Sequence, residues 1–277
     1  MSEAPIVISD PPIQSRNILG VRVNASTYDE VAATVRDWST RGLSRTVNVL
    51  AVHGVMEAYD DPDFRQIIND GDINTSDGVP VVWALKLLGA RNATRVYGPE
   101  LTPRLLEMAA NDGIPVGLYG GSSPEALDRL VDVLKRRFDG LKIAYAWSPP
   151  KVEIPDIPLD GRPYRQLTSD EDSAIRQEII ESGVRLLFVG LGCPKQERWM
   201  HAHRTLPTVM VGVGAAFDFL AGNKAQAPRF IQNAGLEWLF RLLTEPRRLW
   251  KRYLKHNPRF VLYVAMQRLG LWRFDIG

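Results

Sequence analysis

The sequence has 277 residues, of which 45% are hydrophobic and 24% are charged, a composition typical of a globular protein with a sizeable core. The formal net charge is only +2, but it is unevenly distributed. Residues 236–277 contain nine Lys and Arg against three Asp and Glu, which makes this segment +6 and the remainder −4. A basic tail on a mildly acidic body predicts phosphate groups or a membrane surface as the partner of the tail. We expect no nucleic-acid partner.

Cysteine content and apolar runs indicate the compartment. Cys193 is the only cysteine, so the chain can form neither an internal disulfide nor a cysteine-based zinc site, which favours a reducing compartment. Residues 1–17 are polar and lack the apolar run of a signal peptide. No stretch reaches the roughly 20 apolar residues that span a bilayer. The sequence therefore predicts a protein that is soluble or peripheral on a membrane.

The first part of the chain alternates helices with short strands. Thr27 and Glu30 form a capping box, which predicts a helix over residues 26–42. The elements predicted after it are a strand at 46–52, a helix at 61–69, a strand at 72–75 and an apolar helix at 79–88. An Asp77-Gly78 turn separates the last two.

The second part repeats the strand–turn–helix pattern more clearly. Ser123 as N-cap and Pro124 at the first helical position predict a helix running to residue 138. The other elements predicted here are strands at 115–119, 141–147, 184–189 and 208–213, helices at 172–182 and 195–204, and a proline-rich loop at 148–165. This alternation predicts an α/β protein whose Rossmann-like, mostly parallel sheet carries helices on both faces. Beyond Gly214 we expect helices only, and we divide the chain into an α/β core, 1–234, and a basic helical appendage, 235–277.

Three predicted junctions between a strand and a helix are rich in glycine: 120–121, 190–192 and 212–214. At the carboxyl edge of a parallel sheet such turns let a nucleotide phosphate approach the backbone, although glycines also occur there for geometry alone. None completes the G-x-G-x-x-G fingerprint, because Lys195 occupies the position of the third glycine, and there is no Walker A motif. An NAD(P)-dependent oxidoreductase is therefore the weaker alternative to a different nucleotide-dependent enzyme.

We predict no metal site and no cofactor. Two Asp-x-Asp triplets, at 61–63 and 70–72, are better explained as a helix start and a turn into a strand. The four histidines lack H-E-x-x-H spacing, and His201 and His203 fall on different sides of a helix. Asp77 is the candidate for acid–base chemistry, because a carboxylate between a strand and a helix N-terminus can point into a cleft. An ordinary turn or cap residue is the equal alternative.

Five sequence blocks together resemble the WecG/TagA/CpsF family, glycosyltransferase family 26. The most specific is Gly-Leu-Gly-Cys-Pro-Lys-Gln-Glu at 190–197 followed by Trp199, similar to the family's G-x-G-x-P-K-Q-E-x-W. The other blocks lie at 77–83, 95–101, 212–219, and 227–228 with 236–242. They follow the family's order over residues 18–258.

The resemblance implies a GT-E type fold and an inverting, metal-independent transfer. A sugar would pass from a UDP-sugar donor to a polyprenyl-diphosphate-linked acceptor in polysaccharide synthesis, at the inner face of the cell membrane. It implies Asp77 as general base, Arg95 beside the donor or acceptor phosphates, and Gln196 in contact with the nucleotide. Basic appendage residues that would close over the site and meet the membrane are Arg241, Arg248 and Lys251. Further substrate-binding candidates are Gly120, Gly121, Gly192, Lys195, Glu197, Asp218 and His53.

The first predicted strand departs from the family pattern. Counting back from the predicted helix start places Val49 and Ala51 where the family carries Thr and Asn, and His53 at its histidine. Thr46 and Asn48 have the right residue types three positions earlier. Either the strand is shifted or a polar contact is lost. A non-catalytic nucleotide-binding subunit is the remaining alternative, favoured only if that loss disables the chemistry.

Overall fold

An antiparallel hairpin of β1 (Ser15–Ile18) and β2 (Val21–Asn24) opens the described part of the chain. The computed structural model describes residues 13–149, 169–233 and 235–275. Leu19 and Gly20, at the hairpin turn, have φ of 56° and 88°, the left-handed pair that a type I′ turn needs. Leucine is unusual there, and the sequence analysis missed the hairpin. Burial of the Leu19 side chain in the core compensates for the backbone strain.

A six-stranded sheet forms the centre of the fold. Its strands are β3 (Arg45–Leu50), β4 (Ile73–Ser76), β5 (Val116–Gly120), β6 (Ile143–Trp147), β7 (Leu186–Gly190) and β8 (Val209–Gly212). Their spatial order is β4–β3–β8–β7–β5–β6, and every pairing is parallel. All carboxyl ends therefore lie at one edge, where α/β proteins bind ligands.

The helices lie on both faces of this sheet. They are α1 (Tyr28–Arg41), α2 (Val52–Asp60), α3 (Pro62–Asn69), α4 (Val79–Leu87), α5 (Gly98–Asp112), α6 (Pro124–Arg137), α7 (Ser169–Glu181), α8 (Lys195–Ala202), α9 (Ala216–Leu220), α10 (Arg229–Asn233), α11 (Glu237–Thr244) and α12 (Pro246–Arg268). In β7, Phe188 packs into one core with α1, α5 and α6, whereas Val189 packs into another with α7 and α8. This alternation confirms the predicted Rossmann-like α/β fold.

The appendage helices continue the third apolar cluster of the protein. Phe260 and Val264 of α12 are buried against residues of the hairpin, α2 and α4. Within the described ranges, no helix is both long and apolar enough to cross a membrane. Since α12 shares its packing with the rest of the chain, removing the appendage would expose part of that cluster.

Most predicted elements are confirmed, including the capping box of α1 and the Ser123 cap of α6. The first strand of the central sheet, β3, ends at Leu50, two residues earlier than predicted, and α2 begins at Val52. Two helices were not predicted, α2 and α5. The apolar run of β3 continues directly into α2, and α5 contains an internal Pro103, which normally argues against a helix. The predicted loop at 148–165 lies almost wholly outside the described residues.

Candidate active site

Asp77 lies where β4 ends at the carboxyl edge of the sheet. Its backbone N–H bonds to the carbonyl oxygen of Leu50 at the end of β3. Its carboxylate oxygen Oδ1 accepts a hydrogen bond of 2.8 Å from the N–H of Gly98, the first residue of α5. The positive end of a helix dipole and an N–H donor thus hold the carboxylate in one orientation. Asp77 is therefore fixed by backbone groups of two neighbouring elements.

Arg95 lies directly against Asp77, in the segment that leads into α5. This segment is tied to the end of β4, since the N–H of Val96 bonds to the carbonyl oxygen of Ser76. The Nε of Arg95 donates to the backbone oxygen of Asp77 at 2.5 Å. Its guanidinium carbon lies 4.1 Å from the ring centroid of Tyr97, a cation–π contact. The structure therefore brings together the two residues predicted to be catalytic.

Glu237, the first residue of α11, completes this group, and the sequence analysis did not single it out. Its Oε2 accepts a hydrogen bond of 2.6 Å from Nη2 of Arg95, and the residue is only 7% exposed. The one signal in the sequence is that Glu237 falls inside the 236–242 block, which carries part of the resemblance. The appendage thus contributes a charged group to the centre built by β4 and α5.

These residues form one wall of a cavity of about 600 Å³ between the sheet edge and the appendage. Asp77, Arg95, Glu237, Arg241 and Arg252 all line it, so three cations face two anions. Its other lining residues include apolar side chains of α11 and α12: Trp238, Leu242, Trp250, Leu254, Phe260 and Val261. The cavity is suited to a ligand with an anionic end and an apolar end.

Arg241 is available to such an anion. Its guanidinium lies 5.8 Å from the ring of Phe219, and its buried Nε has no hydrogen-bond partner among the described residues. A buried donor without a partner carries a desolvation cost that a bound anion would remove. The side chain of Arg248, on α12, lies outside the described part of the chain, so its predicted contact stays a prediction.

The surroundings of Asp77 favour its protonated form. Burial raises the pKa of Asp77, and the nearby Glu237 carboxylate raises that pKa further. The guanidinium of Arg95, the Gly98 N–H and the guanidinium of Arg241 act in the opposite direction. A carboxylate with a raised pKa is a stronger base once it is ionised, which suits proton abstraction.

The glycine-rich junctions of β5, β7 and β8 lie on the same edge but outside the lining of this cavity. The N–H of Gly121 bonds to the oxygen of Gly190, which joins two of the turns. At Gly120, φ is 116° and a Cβ would lie 2.7 Å from Gly190, so only glycine fits there. Gly98 lies between the two regions. A Cβ atom added to it would be 3.8 Å from Asp77 Oδ1 and 3.7 Å from the backbone oxygen of Val213, just after β8.

Gln196 fixes two of these turns. Its side-chain oxygen accepts hydrogen bonds from the N–H groups of Gly192 and Gly214, and its side-chain nitrogen donates to Glu197. In this structure both ends of the amide are engaged and the residue is 3% exposed. Its contribution to a nucleotide site would therefore be to hold the turns in shape.

Three further predicted binding residues, Lys195, Glu197 and Asp218, lie outside the lining of the main cavity. Lys195 begins α8. Glu197 is 2% exposed and lines a smaller, polar cavity of about 220 Å³, and burial raises its pKa to about 7. Asp218, on α9, forms an ion pair of 2.7 Å with Lys224. These residues thus join neither Asp77 nor Arg95.

The structure settles which residues occupy the end of the first central strand. Asn48 lies inside β3, is buried, and donates to the side chain of Asn74, while Thr46 bonds to Asp72. Both line the smaller cavity, whereas Ala51 lines the larger one. Of Thr46, Asn48 and Ala51, Ala51 is therefore the one that lies at the main cavity.

His53 lines the main cavity and belongs to a cluster that sequence spacing could not reveal. His53 and Glu57 of α2 meet His256 of α12, with Nε2 to Oε1 distances of 3.5 and 3.2 Å, a group that could hold a metal ion. However, both buried Nδ1 atoms lack a partner among the described residues, whereas a metal-bound histidine normally donates through its second nitrogen. Burial, with Arg252 and Lys255 nearby, lowers the pKa of His53 to about 2. We assign the cluster as a contact between α2 and α12.

The acidic triplets serve the fold, as predicted. Asp61 caps α3 by accepting a bond from the N–H of Phe64, and it also pairs with Arg198. Asp72 leads into β4 and pairs with Arg45. His201 and His203 lie apart, since His203 is stacked on Trp199 and bonded to Asp172.

Comparison with known proteins decides the family. The sequence matches the Glycosyl transferase WecG/TagA/CpsF family over residues 16–273. The chain belongs to the WecG/TagA/CpsF family of glycosyltransferases. It is 31% identical over 210 residues to the N-acetylglucosaminyldiphosphoundecaprenol N-acetyl-beta-D-mannosaminyltransferase of Bacillus spizizenii, an alignment that covers 75% of this chain and 74% of the relative.

Membership of the WecG/TagA/CpsF family confirms the resemblance carried by the sequence blocks and gives a glycosyltransferase rather than an oxidoreductase. Two of those blocks, at 77–83 and 95–101, begin with Asp77 and Arg95, and a third, at 236–242, carries Glu237 and Arg241. In the structure these three blocks meet at the cavity. Three of the five blocks that carry the resemblance therefore form the candidate active site, whereas the blocks at 190–199 and 212–219 lie outside the lining of its cavity.

Proposed function

We propose that the chain transfers a sugar from a UDP-sugar to a polyprenyl-diphosphate-linked saccharide in cell-surface polysaccharide synthesis, with inversion at the anomeric carbon. The observation that carries the proposal is the grouping of Asp77, Arg95 and Arg241 around a cavity with a charged end and an apolar end. The name of the mannosaminyltransferase of Bacillus spizizenii includes a lipid-linked substrate of this kind. A diphosphate would meet the arginines, and the start of a lipid chain would meet the apolar wall.

In the proposed reaction Asp77 is the general base. One of its oxygens, Oδ1, is held by Gly98, so Oδ2 would take the proton from the acceptor hydroxyl. The oxygen of that hydroxyl attacks the anomeric carbon, the bond to UDP breaks, and the departing diphosphate carries the negative charge. A single carboxylate and a single displacement fit inversion, and positioned general-base action contributes roughly 10²–10⁴-fold.

Arginines and backbone N–H groups would neutralise the departing diphosphate. We assign Arg95 and Arg241 to the diphosphates, the glycine-rich turns at 120–121 and 190–192 to the nucleotide, with Lys195 beside them, and Arg248 and His53 to the rim of the acceptor site. Preorganised donors of this type stabilise developing charge without a metal ion. Binding of UDP measured by calorimetry, with NAD as the comparison, tests the nucleotide class.

We predict that turnover does not depend on added divalent metal. Arg95, Arg241 and Arg252 line the cavity. In the Asp-x-Asp triplets, Asp61 caps α3, and Asp72 pairs with Arg45 and accepts a hydrogen bond from the N–H of Thr46. Release of UDP in the presence of acceptor should therefore be equal with and without Mg²⁺ or Mn²⁺ in dialysed protein. Release that occurs only when one of these ions is added would contradict the metal-free mechanism.

We propose that residues 235–277 are an appendage that binds the inner face of the cell membrane, with 1–234 as the transfer core. The appendage combines basic residues with exposed apolar side chains; the exposed apolar residues of α11 and α12 are Trp238, Leu239, Leu243, Trp250, Leu254, Val261 and Leu262. Such a surface favours an interfacial position at anionic lipid.

Reversing two charges tests the membrane proposal without removing packed residues. The variant Arg247→Glu/Lys251→Glu alters two exposed positions of α12. Each Lys or Arg near an anionic leaflet contributes about 1 kcal/mol, so sedimentation with anionic liposomes should weaken at least about tenfold. The difference should shrink at high salt, because the Debye length falls from about 10 Å at 0.1 M to about 3 Å at 1 M.

The matched control is Lys135→Glu/Arg136→Glu, on exposed positions of α6 far along the chain from the appendage. It changes the net charge equally and should bind liposomes nearly as the wild type does. Equal weakening by both double variants would mean that overall charge, and not the appendage, drives sedimentation.

A further inference from the structure

Glu237 connects the appendage to the catalytic centre through one short contact. It begins α11, it is buried, and its carboxylate lies 2.6 Å from Nη2 of Arg95. Through Nε the same guanidinium reaches the backbone oxygen of Asp77. A chain of two hydrogen bonds thus runs from α11 to the end of β4.

Two hydrogen bonds and a cation–π contact with the Tyr97 ring fix the guanidinium of Arg95. Nε and Nη2 are bound to Asp77 and Glu237, and the plane of the group lies on the Tyr97 ring. Among the described residues Nη1 has no hydrogen-bond partner, while Arg95 lines the cavity. Charge-assisted bonds of this kind hold a donor in place before the substrate arrives, which is what stabilisation of a developing anion requires.

Glu237 also acts on Asp77 through its charge. The charged groups that face Asp77 are Arg95 from the segment before α5, and Glu237 and Arg241 from α11, with the Gly98 N–H at the start of α5. Glu237 is the anion in this set. A second carboxylate nearby in a poorly solvated place makes the ionised form of Asp77 less favourable, so Asp77 becomes more basic.

We propose that Glu237 is a positioning residue of the transfer reaction: docking of α11 places its carboxylate so that the guanidinium of Arg95 is held against Asp77. The proposal rests on the assignment of Asp77 as the base and adds a role for the appendage inside the chemistry. If α11 were displaced, the glycine-rich turns at 120–121 and 190–192 would remain, but Asp77 would no longer be a competent base.

Three variants test whether the charge at this position matters. Glu237→Gln keeps the shape and can still accept a bond from Arg95, Glu237→Asp keeps the charge, and Glu245→Gln removes an appendage carboxylate that contacts Lys224 at 3.7 Å instead. We expect kcat to fall about tenfold in the Gln variant, a fraction of the general-base contribution. We also expect the acidic limb of the kcat/KM profile to move to lower pH, because the pKa of Asp77 falls when the neighbouring anion is removed.

The proposal predicts that the acidic limb follows the charge at position 237. Wild type, Glu237→Asp and Glu245→Gln should share one limb, and Glu237→Gln alone should move. Any other pattern overturns the role. Examples are an acidic limb that does not move in Glu237→Gln, or an acidic limb that moves as far in Glu237→Asp as it does in Glu237→Gln. The role is also overturned if the backbone amides of α11 lose protection from hydrogen exchange equally in Glu237→Gln and Glu237→Asp.

Titration of the Asp77 carboxyl carbon by NMR, without substrate, separates this proposal from the one on which it rests. If the Asp77 pKa falls in Glu237→Gln while Asp77→Asn still turns over, the coupling holds and the base assignment fails. If the Asp77 pKa does not change between wild type and Glu237→Gln, the coupling fails, whatever Asp77 does in catalysis.

Discussion

Replacement of Asp77 by Asn should lower kcat at least 100-fold, the largest effect that we expect from a single substitution. The amide keeps the oxygen that accepts the Gly98 N–H, so the geometry is retained while the basicity is lost. General-base action of this kind is worth roughly 10²–10⁴-fold. Calorimetry should show UDP binding close to that of the wild type, because the glycine-rich turns are untouched.

The same substitution should not lower thermal stability. Burial raises the pKa of Asp77, so the folded protein holds this proton more tightly than the unfolded chain does. As pH rises through the window between the unfolded and folded pKa values, ionisation of Asp77 therefore reduces the free energy of unfolding. Asn has no carboxyl group to ionise, so Asp77→Asn avoids this loss in the free energy of unfolding near neutral pH. We therefore expect a Tm equal to or above that of the wild type.

Asp61→Asn is the matched control for this substitution. Asp61 also stands at a helix start, where it caps α3, and Asn is as good a cap. It should leave kcat nearly unchanged. If Asp77→Asn retains more than about a tenth of the wild-type kcat, well above what loss of general-base action allows, then Asp77 is not the base.

Replacement of Arg95 by Lys should lower kcat/KM about 10²- to 10³-fold, the range found when one preorganised donor to a developing anion is lost. Lysine keeps the charge but cannot bond the Asp77 oxygen and Glu237 with a planar fork while lying on the Tyr97 ring. We choose Lys over Ala because Ala would leave the buried Glu237 carboxylate without its partner, a loss of about 3–5 kcal/mol of stability.

Arg104→Lys is the matched control for Arg95→Lys. Arg104 lies on α5 with its guanidinium 4.5 Å from the Tyr28 ring, so it loses a similar cation–π contact outside the cavity. Steady-state rates with a water-soluble acceptor analogue should show a large loss for Arg95→Lys and little change for Arg104→Lys. If Arg95→Lys keeps the wild-type kcat/KM, Arg95 has no role in the reaction.

Much of the fold could be predicted from local patterns. The parallel sheet followed from apolar runs separated by capped helices, such as those begun by Thr27 and Ser123. The hairpin could not be predicted, since Leu19 at a left-handed turn position is tolerated only because its side chain is buried. Helix α5 was missed because Pro103 argues locally against a helix that tertiary packing stabilises.

The sequence could predict that groups at strand ends lie together at one edge of the sheet, but not which groups meet across the chain. Asp77 and Arg95 lie close together in sequence and their blocks carried the resemblance. Glu237 meets Arg95 across 142 residues, and His256 meets Glu57 across a still longer stretch of the chain, which no spacing rule reveals. Gln196 was predicted to touch the nucleotide, but the structure shows its amide bonded to two turns.

Mass spectrometry of lipid-linked products tests the central claim most directly. The purified chain, a panel of UDP-sugars and a panel of polyprenyl-diphosphate-linked saccharides should give an acceptor heavier by one sugar, with UDP released in equal amount. NMR of that product should show an inverted anomeric centre, and Asp77→Asn should give none. If the wild-type chain binds UDP but forms no such product with any UDP-sugar and acceptor saccharide tried, it is a nucleotide-binding subunit and the account is contradicted.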